Sequence, residues 1–120
     1  MTTDHTLQDV IDLPRNHSRR GTPIFTLLEQ SGYFTAHDQV TEAAICKALR
    51  RRPELVNDWI ELSESTRASS GWYLRRAGAQ HYQVGYYPDS EPIEYDDALA
   101  ACAAYIKRNI EAIRTDHHNA

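Results

Sequence analysis

The sequence predicts an α+β fold: three N-terminal helices, an antiparallel two- to three-stranded β-meander, and a long C-terminal helix packed on the sheet. Three observations lead to this prediction. Apolar residues recur at steps of three and four before residue 63 and again after residue 98, which is the spacing of amphipathic helices. Between residues 72 and 87 apolar and polar residues alternate, which is typical of strands. The length of 120 residues fits one domain of about 100–200 residues.

The polar N-terminal segment, residues 1–21, is predicted to be a flexible arm. It contains Pro14 and ends in the polar run at residues 18–21, although a short helical turn inside it is compatible with the sequence. The folded domain is then predicted over residues 22–114. The polar segment at residues 115–120 is predicted to be a frayed tail.

Each of the three helices before the sheet has a recognisable beginning. Thr22 is predicted to cap the first helix, with Pro23 at its first position, where the missing N–H would have no partner anyway. Thr41 is predicted to cap the second helix, which ends before Pro53 because the residue preceding a proline avoids the α conformation. Pro53 then opens the third helix.

The strands and the last helix follow. We predict strands around residues 72–76 and 82–87 and a short third strand at residues 93–95. Asp96 is predicted to cap the last helix, with Asp97 stabilising its positive end. This helix is predicted to cover the inner face of the hairpin, which carries Trp72, Leu74, Tyr82, Val84 and Tyr86. The residues predicted to be buried are Trp59, Trp72, Val84, Leu99, Cys102, Ile106 and Ile110.

Composition and motifs argue against several functions. The net charge of −4, from 17 acidic and 13 basic residues, disfavours broad nucleic-acid binding. The sequence has no signal-peptide pattern and no apolar run long enough for a membrane span, so we expect a cytoplasmic protein. Two cysteines and six histidines lack metal-ligand spacing, and no nucleophile elbow or phosphate loop is present. We therefore predict no catalytic residues, no cofactor and no metal.

Acidic and aromatic residues form the predicted partner-binding surface. Glu54, Asp58 and Glu61 share one face of the third helix because they lie four and three positions apart. A second acidic cluster precedes the last helix, and outward-pointing aromatic and basic side chains lie on the hairpin. The nine predicted contact residues are Glu54, Asp58, Glu61, Tyr73, Arg75, Tyr87, Asp89, Glu91 and Glu94. The alternative is that the acids form a solvated face and that the tyrosines reflect only strand propensity.

The second half of the chain carries a family resemblance. The segments are DWI (58–60), SESTR (63–67), SGWY (70–73), VGYY (84–87) and the helix at 98–113. Together with the size and acidity of the chain, they resemble small bacterial immunity proteins of polymorphic-toxin and contact-dependent inhibition systems. The resemblance implies a non-catalytic protein that binds and neutralises a cognate toxin domain, such as a nuclease.

Two other functions are compatible with the sequence. Three helices followed by a hairpin is also the order of elements in a winged-helix DNA-binding regulator, with residues 75–76 in the wing, but the recognition helix would then present carboxylates to phosphates. A small enzyme could use Glu64, Arg67 and His81, provided that the fold brings them together in a pocket.

Overall fold

A three-stranded antiparallel sheet packs against a long C-terminal helix in the computed structural model, which describes residues 3–66, 71–87 and 91–119. The strands are β1 (Gly71–Gly78), β2 (His81–Tyr87) and β3 (Ile93–Tyr95), in the spatial order β1-β2-β3. The helices are α1 (Thr3–Ile11), α2 (Leu13–Arg20), α3 (Ile24–Gln30), α4 (Tyr33–Ala36), α5 (Glu42–Arg51), α6 (Leu55–Thr66) and α7 (Ala98–Asn119). This architecture confirms the predicted α+β class. None of these helices is both long and apolar enough to cross a membrane.

The prediction of a flexible arm at the N-terminus is wrong for the residues that the structure describes there. Residues 3–20 form α1 and α2, whose apolar residues Val10, Ile11 and Leu13 are buried in the core. Pro14 lies in the first turn of α2, where its missing N–H breaks no helical hydrogen bond. The predicted end at residue 114 is also wrong, since the backbone of α7 is helical as far as Asn119.

The helix caps agree with the sequence at one of three predicted positions. Thr41 accepts a hydrogen bond from Ala44 N at 3.1 Å, which confirms the cap of α5. Thr22 does not cap α3, because Pro23 itself is the extended residue before the helix. Asp97 rather than Asp96 caps α7, since its Oδ1 accepts from Leu99 N at 3.0 Å. The helix begins at residue 98, one position later than predicted.

Five of the seven residues predicted to be buried lie in the core, and two are half-buried. Trp59, Val84, Cys102, Ile106 and Ile110 are buried between α6, α7 and the sheet, with the side chain of Trp59 in T-shaped contact with Tyr105 at 6.0 Å between ring centroids. Trp72 and Leu99 are only half-buried. Trp72 instead contacts the ring of Tyr86, which is 39% exposed although it was predicted to be covered. The inner face of the sheet is therefore open where β1 begins and β2 ends.

The two edges of the sheet have different surroundings. Helix α6 lies along β1, where Leu74 N donates to Ser63 Oγ at 2.8 Å and Arg76 Nη2 donates to Asn57 Oδ1 at 3.1 Å. Helix α7 covers the inner face. Strand β3 forms the opposite edge, and in the described part of the chain it pairs only with β2.

Candidate partner-binding surface

A chain of polar contacts crosses the face of the sheet that points away from α7. Alternation places Tyr73 and Arg75 of β1, Gln83 of β2 and Glu94 of β3 on this face, which we call the outer sheet face. Arg75 Nε donates to Gln83 Oε1 at 3.1 Å, and Gln83 Nε2 donates to Glu94 Oε2 at 3.0 Å. His81 contacts the other carboxylate oxygen of Glu94. These contacts thus connect side chains of all three strands.

Tyr73 lies across a glycine of the neighbouring strand. Its ring covers Gly85, so a Cβ atom added there would lie 2.5 Å from Tyr73 Oη and 2.7 Å from Cζ. Because the backbone of Gly85 does not have a positive φ, space and not conformation requires glycine at this position. The guanidinium of Arg75 is 6.0 Å from the ring centroid of Tyr73, which supports the ring from a second side.

Substituting Gly85 tests the position of this tyrosine. Gly85→Ala is expected to displace the Tyr73 ring and to lower the free energy of unfolding by about 1 kcal/mol, since a contact of this length forces a side chain to move. Urea denaturation and the NMR shifts of the Tyr73 ring measure the two effects. Gly78→Ala is the matched control, because its added Cβ would meet only the His81 side chain at an ordinary 3.4 Å. Equal effects of the two substitutions would contradict the placement of Tyr73.

Helix α2 packs against the acidic face predicted on α6 and neutralises one of its three carboxylates. Asp58 is paired with Arg15 of α2, with Nε and Oδ2 2.5 Å apart, and only 28% of its side chain is exposed. Glu54 lies 3.9 Å from Arg52, while Glu61 is exposed. Asp58 is thus not available as predicted. The sequence does not reveal this pairing, because it predicts Arg15 to lie in a flexible arm and not in a helix packed on α6.

A different ridge of α6 borders the sheet. Asn57, Glu61 and Glu64 are exposed and share one face, and Asn57 contacts Arg76 of β1. We call these three residues the α6 ridge. Neither Glu61 nor Glu64 pairs with a basic group among the residues that the structure describes. Their carboxylates are therefore open negative charges on the helix that packs along β1.

The second predicted acidic cluster is spread around β3. Glu91 is exposed before the strand, and Glu94 belongs to the outer sheet face. Asp97 caps α7, so its role in the fold is structural. Asp89 and the side chain of Tyr87 lie outside the described residues.

A half-buried polar cluster around the buried Tyr33, between α4 and α7, was not anticipated from the sequence. Tyr33 donates its phenol hydrogen to Glu111, and Lys107 Nζ donates to Tyr33 Oη at 2.9 Å and to His37 O at 3.0 Å. Arg114 holds Glu111 through two hydrogen bonds of 3.0 and 2.9 Å. The (i, i+4) and (i, i+3) spacing on α7 was the only available signal, because the tyrosine comes from a segment over 70 residues earlier.

The contacts of this cluster shift the pKa values of its members. The hydrogen bonds from Arg114, reinforced by Tyr33 and the charge of Lys107 and opposed by partial burial, lower the pKa of Glu111 to about 2. Burial, together with the hydrogen bond to Glu111, raises the pKa of Tyr33, and burial lowers that of Lys107. An ionised carboxylate and a protonated phenol are suited to a structural hydrogen bond rather than to proton transfer near neutral pH.

Other candidate chemistry is dispersed. Within residues 3–66, 71–87 and 91–119, no three His, Cys, Asp or Glu side chains are arranged to hold a metal ion. Cys46 and Cys102 are free thiols, and burial raises the pKa of Cys102. Of the residues considered for an enzyme, Glu64 lies near the end of α6, His81 contacts Glu94, and Arg67 is outside the described part. No family model, curated protein or solved structure matches the chain.

Proposed function

We propose that this protein is a non-catalytic immunity protein, which binds and neutralises a basic toxin domain through the outer sheet face and the adjoining α6 ridge. The observation that carries the proposal is the contact of Tyr73 with Arg75 and Gly85 on the outer sheet face, where Arg75 and Glu94 are exposed. Tyrosine and arginine are enriched among residues that dominate binding energy. Side chains already held in place lose less entropy when a partner binds.

Charge supports a basic partner. Glu61 and Glu64 are exposed on α6, the helix that packs along β1, and Glu91 and Glu94 are exposed around β3, so carboxylates lie near both edges of the sheet. Such an arrangement speeds association with a positively charged surface and selects against acidic partners. A toxin that acts on nucleic acid needs a basic surface, which is also what the resemblance to immunity proteins implies.

The contacts of α6 weigh against the winged-helix alternative. In a winged-helix protein this helix would enter the major groove. Here α6 packs against α2, α7 and β1, and its exposed residues include the carboxylates of Glu54, Glu61 and Glu64. Phosphates would be repelled by that surface.

The proposal predicts that a neighbouring gene encodes a toxin domain, and association kinetics with that domain test the proposal. Reversing Glu61 and Glu64 to Lys is expected to lower the on-rate about tenfold at low salt and to flatten its salt dependence, because steering is screened by ions. Tyr73→Ala is expected to raise the off-rate about tenfold or more, as for a central aromatic contact. Stopped-flow fluorescence measures both rates.

The control for the on-rate experiment is a double variant with the same change of net charge outside the proposed binding surface. Glu29 and Asp38 are exposed on α3 and after α4, outside the proposed surface, and their reversal to Lys is expected to lower the on-rate by about threefold or less. Circular dichroism checks that each variant is folded. The proposal would be overturned if the Glu61 and Glu64 reversal left the on-rate unchanged and Tyr73→Ala left the off-rate unchanged. Sub-micromolar binding of the protein to duplex DNA would favour the winged-helix alternative instead.

A further inference from the structure

A cleft of about 810 Å³ lies between α2 and α6, a volume within the range of small-ligand sites. Arg15, His17 and Arg19 line it from α2, and Asp58, Glu61 and Leu62 line it from α6. The cleft shares Glu61 with the α6 ridge, while its other residues lie outside the surface proposed for the toxin.

One pair of opposite charges in this cleft is already satisfied. The 2.5 Å contact between Arg15 and Asp58 joins α2 to α6, and the buried side chain of Leu62 adds apolar surface next to it. The Nδ1 atom of His17 lies 2.7 Å from Thr22 O, a carbonyl that can only accept. Nδ1 therefore donates to this carbonyl, which orients the imidazole at the wall of the cleft.

A second pair of opposite charges is separated. Arg19 is exposed on the α2 side and Glu61 on the α6 side, and neither has an oppositely charged partner among the residues that the structure describes. A simple anion would be attracted by Arg19 and repelled by Glu61, and a simple cation would be attracted by Glu61 and repelled by Arg19. A molecule with a carboxylate at one end and an ammonium at the other matches both sides.

We propose that the α2–α6 cleft binds a short zwitterionic peptide segment, with its carboxylate at Arg19 and its ammonium group at Glu61. Two sources share this chemistry: a free peptide with both termini charged, and the C-terminus of a protein that ends in lysine. The proposal does not rest on the function proposed above. Arg19 belongs only to the cleft, so its variants report on peptide binding and not on toxin binding.

Titration with trialanine tests the proposal on the full-length protein. Amide NMR shifts at Ser18 and Leu62 are expected to move saturably at millimolar peptide or below. N-acetyl-trialanine and trialanine amide each lack one charge and are expected to bind about fivefold or more weakly, as for the loss of one exposed ionic contact. N-acetyl-Ala-Ala-Lys with a free carboxylate distinguishes the sources: comparable binding supports a protein C-terminus, and binding of trialanine alone supports a free peptide.

Paired variants locate the site. Arg19→Gln and Glu61→Gln are each expected to weaken trialanine binding about fivefold or more, whereas the neighbouring substitutions Arg20→Gln and Glu64→Gln leave it unchanged. The exchange R19E together with E61R keeps both charges and is expected to restore binding. Thermal unfolding confirms that the variants are folded. Absence of binding by every peptide at millimolar concentration, equal binding of charged and blocked trialanine, or equal effects of cleft and control variants would overturn the proposal.

Discussion

Trp59→Ala is expected to lower the free energy of unfolding by about 3–5 kcal/mol, the range for removal of a large buried aromatic side chain. Trp59 is fully buried and its ring contacts Tyr105 of α7. Its Nε1 donates to Ile11 O at 3.0 Å, so the same side chain also joins α6 to the end of α1. The substitution would therefore leave a cavity and an unpaired carbonyl at once. Urea denaturation followed by circular dichroism measures the loss.

Trp59→Phe separates the two effects. Phenylalanine keeps much of the apolar volume but cannot donate to Ile11 O, so a smaller loss of about 1–3 kcal/mol is expected. In this variant amide hydrogen exchange is expected to increase in α1 more than in α7. A loss below about 1 kcal/mol for Trp59→Ala would contradict the burial of this side chain and its bridge to α1.

Acid is expected to destabilise the protein through Glu111. Its pKa is lowered from the usual 4.5 to about 2, so its contribution is fully present above pH 4.5 and is lost as the pH falls towards 2. This difference between the unfolded-state and folded-state pKa corresponds to about 3 kcal/mol in the free energy of unfolding. Because the carboxylate is partly exposed, solvent screening reduces the expected contribution to about 2 kcal/mol. Glu111→Gln is accordingly expected to cost about 2 kcal/mol at pH 7 and only about 0.5 kcal/mol at pH 2.5, where the carboxylate is close to its folded-state pKa.

Urea denaturation of both proteins from pH 7 to pH 2.5 measures this difference. Lys107 and Arg114 stay charged throughout that range, and Tyr33 stays protonated because its pKa is raised, so the change in the difference reports on Glu111. Glu64→Gln removes an exposed carboxylate of the α6 ridge and is expected to change stability by less than about 0.5 kcal/mol at either pH. If the free energy of unfolding depended on pH in the same way for the native protein and for Glu111→Gln, the hydrogen bonds assigned to Glu111 would be contradicted.

The class of the fold was predictable because local patterns and tertiary packing agree from α5 onward. Thr41 caps α5 in both the sequence and the structure. Alternation in β1 and β2 placed Leu74 and Val84 on the buried side, as their register confirms. Apolar spacing along α7 likewise predicted Ile106 and Ile110 in the core.

The N-terminal helices were not predictable in the same way. Each has fewer than ten residues, and helices this short are stabilised by packing more than by their own sequence. Their polar composition suggested an arm, yet three apolar residues suffice to place them in the core: Val10, Ile11 and Leu13. Contacts with partners distant in sequence, such as Ile11 with Trp59, cannot be read from local patterns.

The candidate surfaces were also only partly predictable, because local patterns do not show contacts between residues that are distant in sequence. Helical and strand periodicity placed Glu61, Tyr73, Arg75 and Glu94 at exposed or half-exposed positions, where the structure has them. Periodicity did not reveal that Arg15, 43 positions earlier, neutralises Asp58. The cleft between α2 and α6 was hidden for that reason, since one of its two sides was not expected to be folded.

Helix α6 packs along β1, and the Ser63 hydroxyl accepts the amide hydrogen of Leu74, an outward-facing donor of this edge strand. Sheets aggregate by adding strands at open edges, so these contacts hinder strand addition beside β1, whereas β3 is the opposite edge. That strand has three residues, and the exposed carboxylates of Glu91, Glu94 and Asp96 surround it. A second copy would bring the same charges against them. One edge is thus protected from polymerisation by a hydroxyl group and the other by repulsion between like charges.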